Sequence, residues 1–311
     1  MDFTGTITGR VLLSGASGML GAAVRKALES RSAKTLRLVR RQPKSAEELH
    51  WDSSAPNGDL SGDRLKELQG LSAAIHLSGA NVSTRRWTKA YKQEMYESRA
   101  GTTRVLSEAL ARLSQPPPVL VCASAVGFYG DRGDQILDED SAPGDSYFPN
   151  LCQAWEAATR PAEDAGIRVV HVRFAMVLGP DGGALARLAP MFKLGIGGKL
   201  GNGRQWMSWV SEADAVAAVL FSISNTNLSG AVNATSPNPV TNAEFTRQLG
   251  DAVHRPAILP APAFALRLAF GEMADEALLA STRAVPKRLL EAGFVFQHPS
   301  LPSAFAAALK Q

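Results

Sequence analysis

The sequence has little of what would tie it to a metal, a disulfide framework, a membrane or a nucleic acid. Its 311 residues include two cysteines, Cys122 and Cys152, which make neither a disulfide framework nor a Cys-x-x-Cys pair. The five histidines, His50, His76, His171, His254 and His298, fall at no ligand spacing, so no metal site is expected. No apolar run approaches the roughly 20 residues of a bilayer span, and Met1 to Arg10 lacks a positive-then-apolar leader pattern. The expectation is a cytoplasmic protein with no membrane contact. Lys and Arg exceed Asp and Glu by only four and are scattered along the chain. Without a clustered basic face, nucleic acid is not an expected partner.

What is present is an ordinary globular core: 45% hydrophobic and 20% charged residues, enough for one α/β unit with an attached lobe. Arg10-Val-Leu-Leu-Ser14 reads as a buried strand. Gly15-Ala-Ser-Gly-Met-Leu-Gly21 follows it, and a helix runs to about Ser30 with Leu20, Val24, Ala27 and Leu28 on one face. Thr35–Val39 is the next strand, which completes a βαβ unit. The alternation continues through strands at Ala73–Leu77, Val119–Ala123 and Arg168–Arg173. Between them lie a long helix, Lys89–Leu113, stopped by Pro116-Pro117-Pro118, and a largely helical stretch, Asn150–Asp164. The fold class is therefore α/β, a Rossmann-like doubly wound parallel sheet. After Arg173 the rhythm changes. A glycine-rich segment surrounds a helix at Ala184–Lys193, and a helix at Ser211–Ser222 opens on a capping box, Ser211 with Asp214. Short helices follow at Thr241–Ala252, Pro262–Phe270, Lys287–Ala292 and Leu301–Leu309. The division expected is a Rossmann-like domain over 10–235, with an insertion at about 179–208, and a smaller, mostly helical lobe over 236–311.

Gly15-x-x-Gly18-x-x-Gly21 after a strand and opening a helix is the setting a dinucleotide loop requires. Gly15 allows the tight turn, Gly18 a close approach of backbone to pyrophosphate, and Gly21 close packing of helix on sheet. Gly15, Ser17, Gly18, Met19, Leu20 and Gly21 form the expected cradle, aided by the partial positive charge of the helix start. An NAD site places Asp or Glu at the end of the second strand to hold the ribose 2′-hydroxyl. Here Arg40-Arg41 stand instead, a pair suited to a 2′-phosphate. The cofactor expected is NADP(H), with Leu77, Ser78, Gly79 and Ala80 lining it after the Ala73–Leu77 strand.

Three segments together resemble an extended short-chain dehydrogenase/reductase: the glycine loop, Ser124-Ala-Val-Gly-Phe-Tyr-Gly130 and Arg173-x-x-x-Val177-x-Gly179. Leu77-Ser-Gly-Ala-Asn81, Arg86-Trp-Thr88, Ser98-Arg99, Leu151-Cys-Gln-Ala-Trp-Glu156, Leu194–Gly201, Gln205-Trp206, Pro239–Asn242 and Gly271–Ala274 narrow the resemblance. They are similar to an atypical subgroup of the NAD-dependent epimerase/dehydratase family with a C-terminal domain of unknown function. Some of its members are called cell-division-inhibitor-like. The resemblance runs from about Arg10 to Leu309. It implies a homodimer paired through the long helix as one assembly.

It also implies a catalytic set of Ser or Thr followed by Tyr-x-x-x-Lys on a helix. The tyrosine moves the proton at the substrate oxygen; the lysine one turn on lowers its pKa and holds the nicotinamide ribose. Ser124 fits the serine. Aligned on Glu156, Phe148 takes the place of the tyrosine and Cys152 that of the lysine, and neither side chain can do that chemistry. Tyr147 is one residue off, a rotation of about 100 degrees. Tyr129 is the leading candidate acid, Ser124 the group that polarises a carbonyl, and Cys152 a cofactor contact. Trp87, Arg204 and Trp206 are expected to wall a pocket for an unidentified small carbonyl or hydroxyl substrate; the alternative for Trp206, with Trp209, is to anchor the lobe against the core. Two functions stay open: an NADP-dependent oxidoreductase or epimerase-like enzyme, and a non-catalytic protein that senses NADPH. A pure scaffold would need neither the glycine loop nor the arginines.

Overall fold

A computed structural model describes residues 7–309. The last two residues of the expected C-terminal lobe, and most of the stretch read for a leader, lie outside the described residues. Seven strands form one parallel sheet: β1 (Arg10–Ser14), β2 (Lys34–Val39), β3 (Glu48–His50), β4 (Ala73–His76), β5 (Val119–Ala125), β6 (Arg168–Phe174) and β7 (Gly230–Ala234), in the order 3-2-1-4-5-6-7. Four helices bear on the site: α1 (Met19–Glu29), α2 (residues 89–111), α3 (Tyr147–Ala157) and α4 (Glu212–Ser224).

The strands are apolar at nearly every position because both faces are covered. Val11 and Leu13 pack with Val24 and Leu28 of α1 and with Val219 and Phe221 of α4. Leu12, between them, points the other way, into a core with Leu36, Leu120, Leu106 and Leu110. Strand order reverses between β1 and β4. In open α/β sheets the crevice at the carboxyl end of such a switch point is where ligands bind.

A third core joins Leu185 and Phe192 of the Gly183–Lys193 helix, Trp209, Phe245, Leu249, Leu301 and Phe305. It draws on residues from both sides of 235/236, while Leu289 and Phe294 return to the α1–α4 core. The capping at Ser211 is present: its Oγ accepts the Asp214 N–H at 3.0 Å. The Asp214 carboxylate does more than close a box. It accepts the Ser211 hydroxyl and the backbone N–H groups of Gln297 and His298, pinning the C-terminal segment to α4.

Two helices differ from the sequence reading. α2 is interrupted by a π turn, Glu97–Gly101. The stretch expected over 150–164 is α3, starting at Tyr147, followed by a separate helix, Arg160–Asp164. The early start of α3 has a distant cause. The Glu276 carboxylate accepts the Tyr147 and Phe148 N–H groups at 3.3 and 3.1 Å, satisfying donors that a helix start leaves free.

Candidate functional site

The glycine loop is built as its spacing implies. Gly15 has φ +70°, and a Cβ there would stand 2.6 Å from the Leu77 carbonyl oxygen. Its carbonyl accepts the Gly18 N–H at 3.0 Å. A Cβ on Gly21 would fall 2.0 Å from that same carbonyl oxygen, so only glycine lets α1 lie against the turn. Gly18 is different. Its φ is −74°, and a Cβ would meet nothing closer than 3.4 Å. The protein itself does not demand glycine there, whereas a ligand approaching the backbone would. Gly18 caps α1 without a side-chain hydrogen bond, and the first turn holds no acid. The orphan N–H groups of that turn are thus left for an anion. Ser17 is exposed and Leu20 packs partly on the α1–α4 core. The Met19 side chain lies beneath Gly179, Gly182 and Gly183, which roofs this end of the loop.

Arg40 and Arg41 both follow β2 and are exposed, but their settings differ. Arg41 makes a bidentate pair with Glu48 of β3 at 2.8 and 2.7 Å. That bond, with the Lys44 N–H, holds the Glu48 carboxyl down at about 2. Arg40 has no carboxylate partner among the described residues. A 2′-phosphate beside β2 would therefore find one guanidinium fixed by Glu48 and one free.

Past the switch point, His76 at the end of β4 is fully buried. Ser14 Oγ lies 2.6 Å from its Nδ1, and Thr102 Oγ1 3.3 Å from its Nε2. The Thr102 hydroxyl donates to the Ser98 carbonyl, so Nε2 carries the ring proton and Nδ1 accepts from Ser14. Burial pushes this imidazole down to about 4 from 6.5. The unfolded chain therefore takes up a proton through this window and the folded one does not, so stability falls with acidification between those values. About 3 kcal/mol of acid-linked destabilisation should disappear in His76→Gln. Urea midpoints of parent and variant, compared at pH 7 and pH 4.5, measure it; parallel pH profiles would refute the assignment.

Beyond His76, Leu77 and Ser78 abut Gly15. Gly79 lies on the guanidinium of Arg99, and Ala80 is held at both backbone groups: its N–H donates to Ser98 Oγ and its carbonyl accepts from Arg99 Nη2. The four expected lining residues are brought to the switch point together.

The expected catalytic set fares otherwise. Ser124, at the end of β5, is 2% exposed, and its hydroxyl donates to Glu156 Oε1 at 2.6 Å. Glu156 also holds Arg173 of β6 in a bidentate pair at 2.7 and 2.8 Å. Arg173 Nη1 donates to Tyr129 Oη at 3.0 Å, and Tyr129 donates to Asn233 Oδ1 of β7 at 2.8 Å. Tyr129 has no exposed surface, and burial pushes its hydroxyl up to about 12. It is a bracket between strands, which corrects the expectation of a proton donor. Cys152 is likewise sealed among Phe128, Tyr129, Leu137 and Ala284. Its thiol is pushed up to about 12 by burial, and it offers a cofactor no surface, against the contact expected of it. Phe148, Cys152 and Glu156 follow at i, i+4, i+8 along α3. That places Phe148 against Gly127, where a Cβ would strike its ring at 2.6 Å, and Glu156 on Ser124. Tyr147 does point elsewhere: its hydroxyl donates to the Lys92 carbonyl at 2.9 Å.

The three expected pocket residues have different surroundings. Trp87 is buried with Tyr91, Met95, Leu151 and Met273, and its Nε1 donates to the Val82 carbonyl at 2.7 Å. Trp206 donates to Asp134 at 2.8 Å and stacks under Arg283. Arg204 is exposed. Glu48 is not singled out from sequence, and Arg99, Glu156 and Arg173 enter only as parts of family motifs, with no role as buried charges. The signal for the last was present, since Arg173 sits inside the otherwise apolar run Val169–Phe174.

With this geometry in place, comparison with known proteins gives a consistent answer. The model of the "NAD dependent epimerase/dehydratase family" matches residues 11–234, and that of a "Domain of unknown function (DUF1731)" matches residues 261–308. The chain is 45% identical over 298 residues to epimerase family protein Mb2239 of Mycobacterium bovis, covering 96% of this chain and 97% of that one. It is 34% identical over 305 residues to human epimerase family protein SDR39U1, covering 97% and 99%. A crystal structure of human epimerase family protein SDR39U1 (isoform 2) with NADPH superposes with a TM-score of 0.88 at 32% identity, covering 96% of this chain and 98% of that one. The cell-division label has no counterpart in these matches.

Proposed function

The chain belongs to the NAD-dependent epimerase/dehydratase family, and from that premise we propose that it binds NADP(H) and works on a small carbonyl or hydroxyl substrate without the Tyr-x-x-x-Lys pair. The observation that carries the cofactor half is Arg40. It is a guanidinium with no carboxylate partner among the described residues, at the strand end where an acid would select NAD, beside an uncapped helix start. Gly15, Gly18 and Gly21 receive the pyrophosphate; Arg40, with Arg41 steadied by Glu48, receives the 2′-phosphate. The NADPH in the human SDR39U1 structure supports this reading.

Arg40→Ala is expected to lower NADPH affinity by about tenfold or more, the worth of a charge-assisted hydrogen bond, and to leave NADH affinity unchanged. Fluorescence titration with both cofactors measures the split. Equal affinities for NADPH and NADH in the parent protein would remove the argument.

When bound, the nicotinamide supplies hydride transfer. The chain's own residues offer that step few protons, since those of Ser124 and Tyr129 are committed to Glu156 and Asn233. This commitment favours a second reading, a non-catalytic protein that senses NADPH. The two separate on one assay: NADPH with a panel of carbonyl compounds, followed by absorbance of the reduced nicotinamide. Turnover that Ser124→Ala abolishes supports the enzyme. Tight NADPH binding with silence across the panel, and a partner retained only with cofactor, supports the sensor.

A further inference from the structure

Among the described residues Arg99 is a buried cation without an anion. It is 7% exposed. Nη2 donates to the Ala80 carbonyl at 2.9 Å, Nη1 reaches the Met95 carbonyl at 3.4 Å, and Nε is buried with no partner. The groups whose charge bears on it are Cys152, Tyr147 and Tyr91, with no carboxylate among them. Burial pushes Cys152 and Tyr147 up to about 12, so neither is an anion near neutral pH. The Trp155 ring lies 5.1 Å to one side. On another, the guanidinium carbon stands 3.4 Å from where a Cβ on Gly79 would be. The π turn Glu97–Gly101 delivers the side chain to this spot, and such turns recur at functional sites.

A charge taken out of water and left unpaired is unfavourable unless something bound answers it. The topology says what lies above. With the adenosine 2′-phosphate beside β2 and the pyrophosphate at the start of α1, a dinucleotide laid across the switch point carries its second nucleoside over β4 and β5. Gly79, Ala80 and Arg99 are there.

We propose that Arg99 is a positioning residue for the nicotinamide side of the cofactor: it holds the Gly79–Ala80 loop flat from beneath and supplies the positive charge that favours the ribose and phosphate above it. The proposal rests on the NADP(H) reading, and its test separates the two. Calorimetry compares NADPH with 2′,5′-ADP, which carries the adenosine half alone, on the parent, Arg99→Met and Arg99→Lys.

Arg99→Met is expected to bind NADPH about tenfold more weakly, a difference equivalent to about 1.4 kcal/mol, and 2′,5′-ADP as the parent does. Arg99→Lys, which keeps the charge and loses the fork, should recover most of the NADPH affinity. Equal weakening of both ligands, or methionine and lysine behaving alike, would show a loop brace whose charge does nothing for the nicotinamide side, and would overturn the proposal. A parent that binds 2′,5′-ADP while Arg99→Met leaves NADPH untouched overturns it alone; a parent that binds neither ligand overturns the cofactor reading and this with it. Should Arg99→Met fail to fold, the parent labelled with nitrogen-15 at arginine still decides. The Arg99 Nε–H signal, identified by its loss in Arg99→Lys, should shift with NADPH and not with 2′,5′-ADP, and no shift at saturating NADPH overturns the proposal.

Discussion

A Gly21→Ala protein is expected to lose NADPH binding by at least about a hundredfold and to lose about 2–4 kcal/mol of stability, the range of a buried clash that cannot be relieved by a rotamer change. The added carbon would stand 2.0 Å from the Gly15 carbonyl oxygen and 2.8 Å from its carbon. The turn has little room to retreat, because the Leu77 carbonyl oxygen and Ser78 N lie behind Gly15, only 2.6 and 2.9 Å from where a Cβ on it would stand. The start of α1 must lift, and its orphan N–H groups move with it. Gly18→Ala is the control. Its Cβ meets one atom at 3.4 Å in ordinary extended backbone, so it should fold with a stability change within about 1 kcal/mol while NADPH affinity still falls. Urea midpoints and cofactor titrations on the two variants separate packing from ligand approach. Unchanged affinity in Gly18→Ala would place the pyrophosphate somewhere other than this loop.

The glycine loop was legible because its spacing is local: strand, turn and helix start lie within twelve residues, and Gly21 answers to Gly15 inside that unit, although Gly15 itself answers to Leu77. Alternation of strands and helices carries the fold class, a parallel sheet covered on both faces, but neither its strand order nor the strands at 48–50 and 230–234. The residues that escaped notice are those whose meaning comes from a distant element. Arg99 sits in the buried stripe of α2, after Tyr91 and Met95 and before Thr102, Leu106 and Leu110. Its i+4 spacing from Met95 already places it on that stripe, but the Gly79–Ala80 loop that it meets there comes from another element. The start of α3 depends on Glu276, about 130 positions away. Trp87 looked like a pocket wall from its basic neighbours; only the packing of Met273 against it shows a core residue. Cys152 is a thiol where the family resemblance places a lysine. That it would be sealed followed from the i+4 face it shares with Phe148 and Glu156, whose outer end is fixed by Ser124 and Arg173.

That outer end carries the second large effect. Glu156→Ala is expected to cost about 3–5 kcal/mol, the usual result of removing one partner from a buried ion pair, because Arg173, 5% exposed in its side chain, would keep its charge and lose both carboxylate bonds. The loss should spread. Arg173 lies 3.4 Å over the Phe128 ring and donates to Tyr129, which reaches Asn233. One carboxylate thus ties α3 to β5, β6 and, through two further bonds, β7. Tyr129→Phe removes the bond from Arg173 and the bond to Asn233 but leaves the ion pair whole, and should cost about 2–3 kcal/mol. Glu156→Ala combined with Arg173→Met should be milder than Glu156→Ala alone, since the stranded charge is gone; strict additivity in urea unfolding would refute the pair as the source. The same variants bear on function. If Ser124 acts on a substrate, Ser124→Ala must abolish turnover at a stability cost no larger than that of Tyr129→Phe. If it is only the near end of this chain of bonds, its effect on any turnover should track the stability lost, and Tyr129→Phe, remote from β5, should impair turnover to the same degree.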